Sequence, residues 1–269
     1  MLPGRTSQSG RLGDAVEFGL TVVRSVNDHE LRYPAAAFAY YAFVSFLPLL
    51  VLAVALLGEA ATAQLQSVTP RLLTPAAQEL VRESLTTASG RAGATALAVL
   101  ALAWAGANVA VDFQTVVERV EGWEEVPLTE QLRDAVEILI LMGLPVASIV
   151  LAGALSIPLA EIPGAAFGWS FALLVALTVA FLPLYYVSSH VVTSARQALP
   201  GAVVAAVGWT ALLTGIRFYA VNATQYALYG VLSGIIIVLT GLYMGSLVLM
   251  TGVVVNAVAA DGEAVPAER

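Results

Sequence analysis

Long apolar runs alternate with short polar connectors along this chain. Six blocks are almost wholly nonpolar, over residues 35–58, 92–111, 135–160, 165–187, 198–220 and 229–260. A bilayer core about 30 Å thick is crossed by about 20 residues of helix, so each block is long enough to span it. In hydrocarbon every backbone N–H and C=O must find an internal partner, which leaves helices or closed barrels. The two-residue alternation of a barrel strand is absent, so the blocks predict helices. The expected fold is all-α: a polytopic integral membrane protein whose six transmembrane helices fill 35–260. The sixth block is the longest and spans with tilt. Pro48, Pro145, Pro158 and Pro183 fall inside blocks. Each removes a backbone donor, which predicts packing kinks, with a gating hinge as the sharper alternative.

The polar remainder predicts two further helices. In the cytoplasmic segment 1–34, Val16, Gly19, Leu20, Val23 and Val26 recur at helical spacing, with Asp14, Glu17, Arg24 and Asp28 elsewhere. This pattern over Asp14 to Glu30 predicts an amphipathic helix lying along the membrane interface; a solvated helix packed on loops is the alternative. Residues 1–34 lack the apolar core of a signal peptide and the first block is too long for one, so that block is expected to stay as an anchor. Between spans one and two, Thr69-Pro70 and Thr74-Pro75 pair a capping hydroxyl with a first-turn proline. A short external helix is expected from Pro75 to about Ser89, with Leu80, Val81 and Leu85 facing protein or lipid. The tail, 261–269, is expected to be disordered.

Composition strengthens the choice of solvent. The chain is 59% hydrophobic and 12% charged, with mean hydropathy +0.84, a balance that would expose large sticky surfaces in water. All basic residues are Arg. Eight (Arg5, Arg11, Arg24, Arg32, Arg119, Arg133, Arg196, Arg269) fall on the side of the termini and four (Arg71, Arg82, Arg91, Arg217) on the other. That bias predicts cytoplasmic N- and C-termini in a cell membrane. The net charge is −7, and acids crowd Asp112 to Glu137, among them Glu118, Glu121, Glu124, Glu125, Glu130 and Asp134. No basic stripe is present, which excludes a nucleic-acid partner. Acidic, lysine-free loops fit a salt-rich, halophile-like cytoplasm; GC-rich coding gives the same bias. The absence of Cys excludes disulfides and thiolate chemistry, and with Leu at position 2 it leaves no lipidation motif.

Candidate chemistry is sparse. In the sixth block Gly230, Gly234, Gly241, Gly245, Gly252 and Asn256 share one helical face, and the fifth carries a weaker stripe of Gly201, Ala205, Gly208 and Gly215. Small residues let membrane helices approach closely, so these stripes predict packing within the chain; a homo-oligomer seam and a pore-lining face are the alternatives. Polar groups within the spans are Tyr41 and Ser45 in the first, Asn108 and Asp112 below Trp104 in the second, and Asn256 in the sixth. Asn222, Gln225, Tyr226 and Tyr229 cluster between the fifth and sixth. Polar groups at depth are costly and mark either interhelical hydrogen bonds or a substrate pathway. Glu137 and Glu161 are expected at interfaces. His29 and His190 are far apart and no metal-ligand spacing occurs, so no metal site is expected. No Walker or GxSxG motif is present, so no catalytic or cofactor-binding residues and no cofactor are expected. Asn222-Ala-Thr224 matches a glycosylation sequon close to the membrane.

Three stretches carry a family resemblance. They are Tyr33-Pro34 with AAAFAYYAFVSFLPLL, then Leu199-Pro200-Gly201-Ala202, then the run from Phe218-Tyr219 through Asn222, Tyr226 and Tyr229-Gly230 to Gly252 and Asn256. In that order they resemble the YihY/BrkB membrane family, known as virulence factor BrkB and formerly as "ribonuclease BN". The chain departs from the family pattern at Val254, where the family has Glu, and in an acidic rather than basic loop after the second span. The resemblance implies a polytopic cytoplasmic-membrane protein. The nuclease label does not carry over: RNA hydrolysis needs an aqueous site with metal or acid–base groups and a basic surface.

The functional expectation is a non-ATP transporter or flippase-like protein, not an enzyme, with the bilayer as its first partner and unknown cargo. Its grounds are proline-broken helices, few buried polar groups and Gly-rich faces. A non-transporting envelope scaffold is the alternative, and a membrane-embedded enzyme comes third. The repeat of Phe46–Leu50 (FLPLL) as Phe181–Tyr185 (FLPLY) is too short to indicate an inverted repeat.

Overall fold

The computed structural model describes residues 6–46, 48–49, 52, 88–123, 128–159, 165–222 and 230–264. Among these residues there are seven α-helices and no strand. They are α1 (Thr6–Asp28), α2 (Arg32–Val44), α3 (Ala88–Glu121), α4 (Leu128–Leu159), α5 (Ala165–Ser188), α6 (Ala195–Asn222) and α7 (Gly230–Ala264).

Two helix ends show why the chain turns where it does. After α1, Glu30 takes a left-handed conformation (φ 50°), the Glu30 N–H donates to Asn27 O (3.1 Å), and the Leu31 N–H donates to Val26 O (3.3 Å). This is the Schellman arrangement, completed by apolar packing of Leu31, which is fully buried, with Val26. After α3 the left-handed residue is Gly122 (φ 67°), and the Trp123 N–H donates to Glu118 O (2.9 Å). Glycine meets that backbone requirement without a Cβ penalty.

Each helix from α2 to α7 packs on the next, α7 returns to pack on α2, and α3 also touches α7; α1 lies against α7. Short connectors between packed neighbours make α3 to α7 run alternately up and down. One apolar cluster joins Phe113 and Val117 of α3 to Ile138, Leu177, Leu184 and Ala202. A second joins Val22, Leu31, Ala35, Val116, Met250 and Val254. The outward faces are equally apolar: Leu97 is 69% exposed, Ile140 68%, Phe171 67%, Val179 67% and Phe218 73%. Water would not tolerate such a surface, and lipid tails match it. Among the described residues, five helices are long and apolar enough to cross a membrane, over Thr95–Glu121, Arg133–Gly153, Gly168–Ser188, Ala195–Tyr219 and Gly234–Ala260.

The structure shifts several expected boundaries. The first expected span, 35–58, begins as α2, and most of its second half lies outside the described residues. The external helix expected at 75–89 also lies outside them, apart from residues 88–89, which open α3. The second span does not end at Val111: α3 continues to Glu121, because Phe113, Val116, Val117 and Val120 keep an apolar face at helical spacing through the acidic stretch. The third helix starts at Leu128 instead of 135, and the helical run continues through Pro145, Pro158, Pro183 and Pro200. The last helix reaches Ala264, so 261–264 are not a disordered tail; 265–269 lie outside the described residues. On α1 the expected apolar face divides. Val22 is buried and Val26 packs beside it, whereas Val16, Leu20 and Val23 point outward.

Candidate functional site: the polar faces of α3 and the α6–α7 clamp

The expected polar residues separate into two groups with different surroundings. Asn256 belongs to the first. From α7 its side chain reaches α6, accepting from the Gly201 N–H (2.7 Å) and donating to Ala198 O (3.3 Å). Pro200, between these residues, has no N–H of its own. Tyr185 of α5 donates its hydroxyl to Leu249 O (2.7 Å). Glycines make these approaches geometrically feasible. A Cβ at Gly201 would collide with Gly252 O and stand 2.6 Å from Asn256 Nδ2, and a Cβ at Gly252 would collide with the Tyr185 hydroxyl. At Gly245 it would stand 2.7 Å from the Trp209 ring, whose Nε1 donates to Gly245 O (3.1 Å). Among the described residues, at Gly241 it would meet only the tip of Ile216, at 3.1 Å, and at Gly234 nothing within 4 Å. Gly230 opens α7. The glycine stripe therefore faces α5 and α6 over 241–252 and is open at Gly234.

The second group lies on α2 and α3. Ser45 donates to Tyr41 O (2.8 Å), and the Tyr41 ring meets Trp104 edge-on with centroids 5.4 Å apart. Asn108 donates to Trp104 O (2.7 Å). One turn on, Asp112 Oδ2 is buried with no hydrogen-bond partner. Asn222 ends α6, its side chain, Tyr226 and Tyr229 falling outside the described residues. Glu137 is exposed, and Glu161 lies outside the described residues.

Two residues that sequence reasoning missed complete this region. Gln114 and Glu118 are 6% and 7% exposed, and their Oε1 atoms are buried without a partner. At about 100° per residue Gln114 projects nearly opposite Asp112, Glu118 lies about a third of a turn from it, and Thr115, three residues on, shares the Asp112 side. With Val111 and Thr115 they line a recess of about 10 Å³. Their signal was an i, i+4 pair within the buried continuation of α3, hidden among neighbouring acids. Glu121, by contrast, is fully engaged: it accepts from the Ser189 hydroxyl and from the His190 N–H (2.7 Å). The His190 ring stacks on Trp123 with centroids 4.8 Å apart, so His190 meets Glu121 through its backbone and not its imidazole. Among the described residues, no three His, Cys, Asp or Glu side chains gather closely enough to hold a metal ion.

Comparison with known proteins decides the family of this helical bundle. The sequence profile of the virulence factor BrkB family matches residues 22–269. The chain belongs to that family. It is a multi-pass, all-helical BrkB-family membrane protein. One curated relative, the ribonuclease-like protein YfkH of Bacillus subtilis (strain 168), is 33% identical over 106 residues, 39% of this chain and 38% of the relative. No solved structure matches the chain. At Val254, where the resemblance expects Glu, this BrkB-family chain buries the side chain completely in the cluster around Leu31 and Met250. That apolar pocket explains the departure: an unpaired carboxylate there would be severely desolvated.

Proposed function

We propose that the protein is a non-ATP membrane transporter or flippase-like carrier of the cell membrane, with its termini cytoplasmic, and not an enzyme. One observation carries this reading. Among the described residues, three of the four buried side-chain polar atoms without partners lie within seven residues of one spanning helix, at Asp112, Gln114 and Glu118, and the fourth is Thr210 on α6. An unsatisfied buried polar group costs about 1–3 kcal/mol, more if charged, and such groups inside membrane segments mark pathways for polar species. The exposed Val16, Leu20 and Val23 of α1 support an interfacial helix at the entrance. The scaffold reading draws on one different feature, the open face at Gly234, which fits a second copy of the chain.

The test is a flux and lipid-scrambling assay in proteoliposomes, across small polar solutes and labelled lipids. Transport above empty liposomes, reduced at least about tenfold by Asp112→Asn and less by Tyr41→Phe or Asn108→Ala, is the expected outcome. Rates equal to empty liposomes over the panel would count against transport and favour the scaffold.

A further inference from the structure

The recess on α3 has a specific chemical character. It is lined by Val111, Gln114, Thr115 and Glu118. The oxygens available there are acceptors: Gln114 Oε1 and Glu118 Oε1 have no partner, and Thr115 spends its hydroxyl proton on Val111 O (2.8 Å). Unpartnered acceptor oxygens one turn apart on a buried helix face repel one another, and burial strengthens that repulsion because water does not screen it. The Gln114 amide N–H can answer Glu118 only by turning its own oxygen away, whereas a positive group satisfies both oxygens at once. A volume of about 10 Å³ admits one water-sized occupant. Hard oxygen donors exclude the softer metals, and a single carboxylate matches a monovalent cation in charge, whereas a divalent ion would be left under-neutralised in a buried site.

We infer that Gln114, Thr115 and Glu118 form a binding site for a single alkali-metal cation at the α3 face. Gln114 Oε1 and Glu118 Oε1 are its side-chain ligands, Thr115 Oγ1 lines it, and water completes the shell. The inference goes beyond the transport reading, because equilibrium binding needs no cargo and is measured without flux. Glu121 and Asp112 do not compete for the site. Glu121 is held by Ser189 and His190, and the residues that line the recess do not include Asp112.

The experiment measures thermal unfolding of the full chain in detergent at fixed pH and ionic strength, replacing choline chloride stepwise with sodium or potassium chloride. A cation that binds only the folded protein raises the midpoint with concentration, in proportion to ln(1 + [cation]/Kd). The wild type is expected to gain stability in at least one of the two salts, and isosteric Glu118→Gln to abolish that gain. Gln114→Met keeps the side-chain length, removes one ligand and should raise the half-saturating concentration at least about tenfold; it serves as the second variant if Glu118→Gln does not fold. Equal gains in wild type and both variants would place the cation effect elsewhere on the protein and overturn the site. No gain in the wild type up to about 0.5 M salt would overturn it too: the recess would then hold water, or the Gln114 amide would be turned to donate to Glu118.

Discussion

Asn256 shows how a single polar side chain in a hydrophobic helix finds its partners. Its amide was legible in the sequence as an anomaly near the end of an apolar block, but its partners, Gly201 and Ala198, lie far back along the chain on α6. Asn256→Ala strips both bonds, and the unfolding free energy in detergent should fall by about 1–3 kcal/mol. Tyr185→Phe removes only the hydroxyl bonded to Leu249 O and should cost about 1 kcal/mol. Equal and negligible losses in the two variants would reject the clamp. Gln114 and Glu118 illustrate the opposite case. In the sequence they sit in an acidic stretch that reads as a solvated loop, and only the continuation of α3 turns them inward.

At the scale of elements, the small-residue stripe was visible as a spacing, but the spacing did not say which helix it faces. The answer is graded along α7. Gly252 meets Tyr185 and Gly201, Gly245 meets Trp209, Gly241 touches one flexible Ile216 tip, and Gly234 faces open space. Substitution by Leu should follow the same gradient. Gly252→Leu should prevent α6 and α7 from packing and give little folded protein, because backbone and a buried ring cannot move aside. Gly241→Leu should be milder. Gly234→Leu should keep wild-type melting, and a change in its oligomeric state on size exclusion would identify that face as a seam between copies. The prolines carry a similar lesson. The helical runs continue past Pro145 and Pro183, so neither proline ends its helix, and Pro145 is buried among neighbours.

For the whole molecule, alternating helices place residues 28–32, 121–123, 128 and 188–195 at one end of the bundle and the helix ends at 159, 165, 222 and 230 at the other. The chain contains no cysteine, so single introduced thiols report topology directly. Thr193→Cys and Gly168→Cys lie at opposite ends on exposed sites. An impermeant maleimide applied to intact cells should label Gly168→Cys and spare Thr193→Cys; the reverse pattern would invert the orientation, and labelling of both from one side would break the alternation. The medium was decided by the sequence alone. Apolar blocks long enough to cross a bilayer leave the backbone no option but helices in lipid, and that is a local requirement of each segment. Family membership was legible for the same reason, in short motifs read along the chain. The closure of α7 onto α2, the pairing of Asn256 with α6, and the recess between Gln114 and Glu118 were decided by tertiary structure. Each depends on which faces meet, and in a membrane nearly every face is apolar, so periodicity loses the contrast that marks inside from outside in a soluble protein.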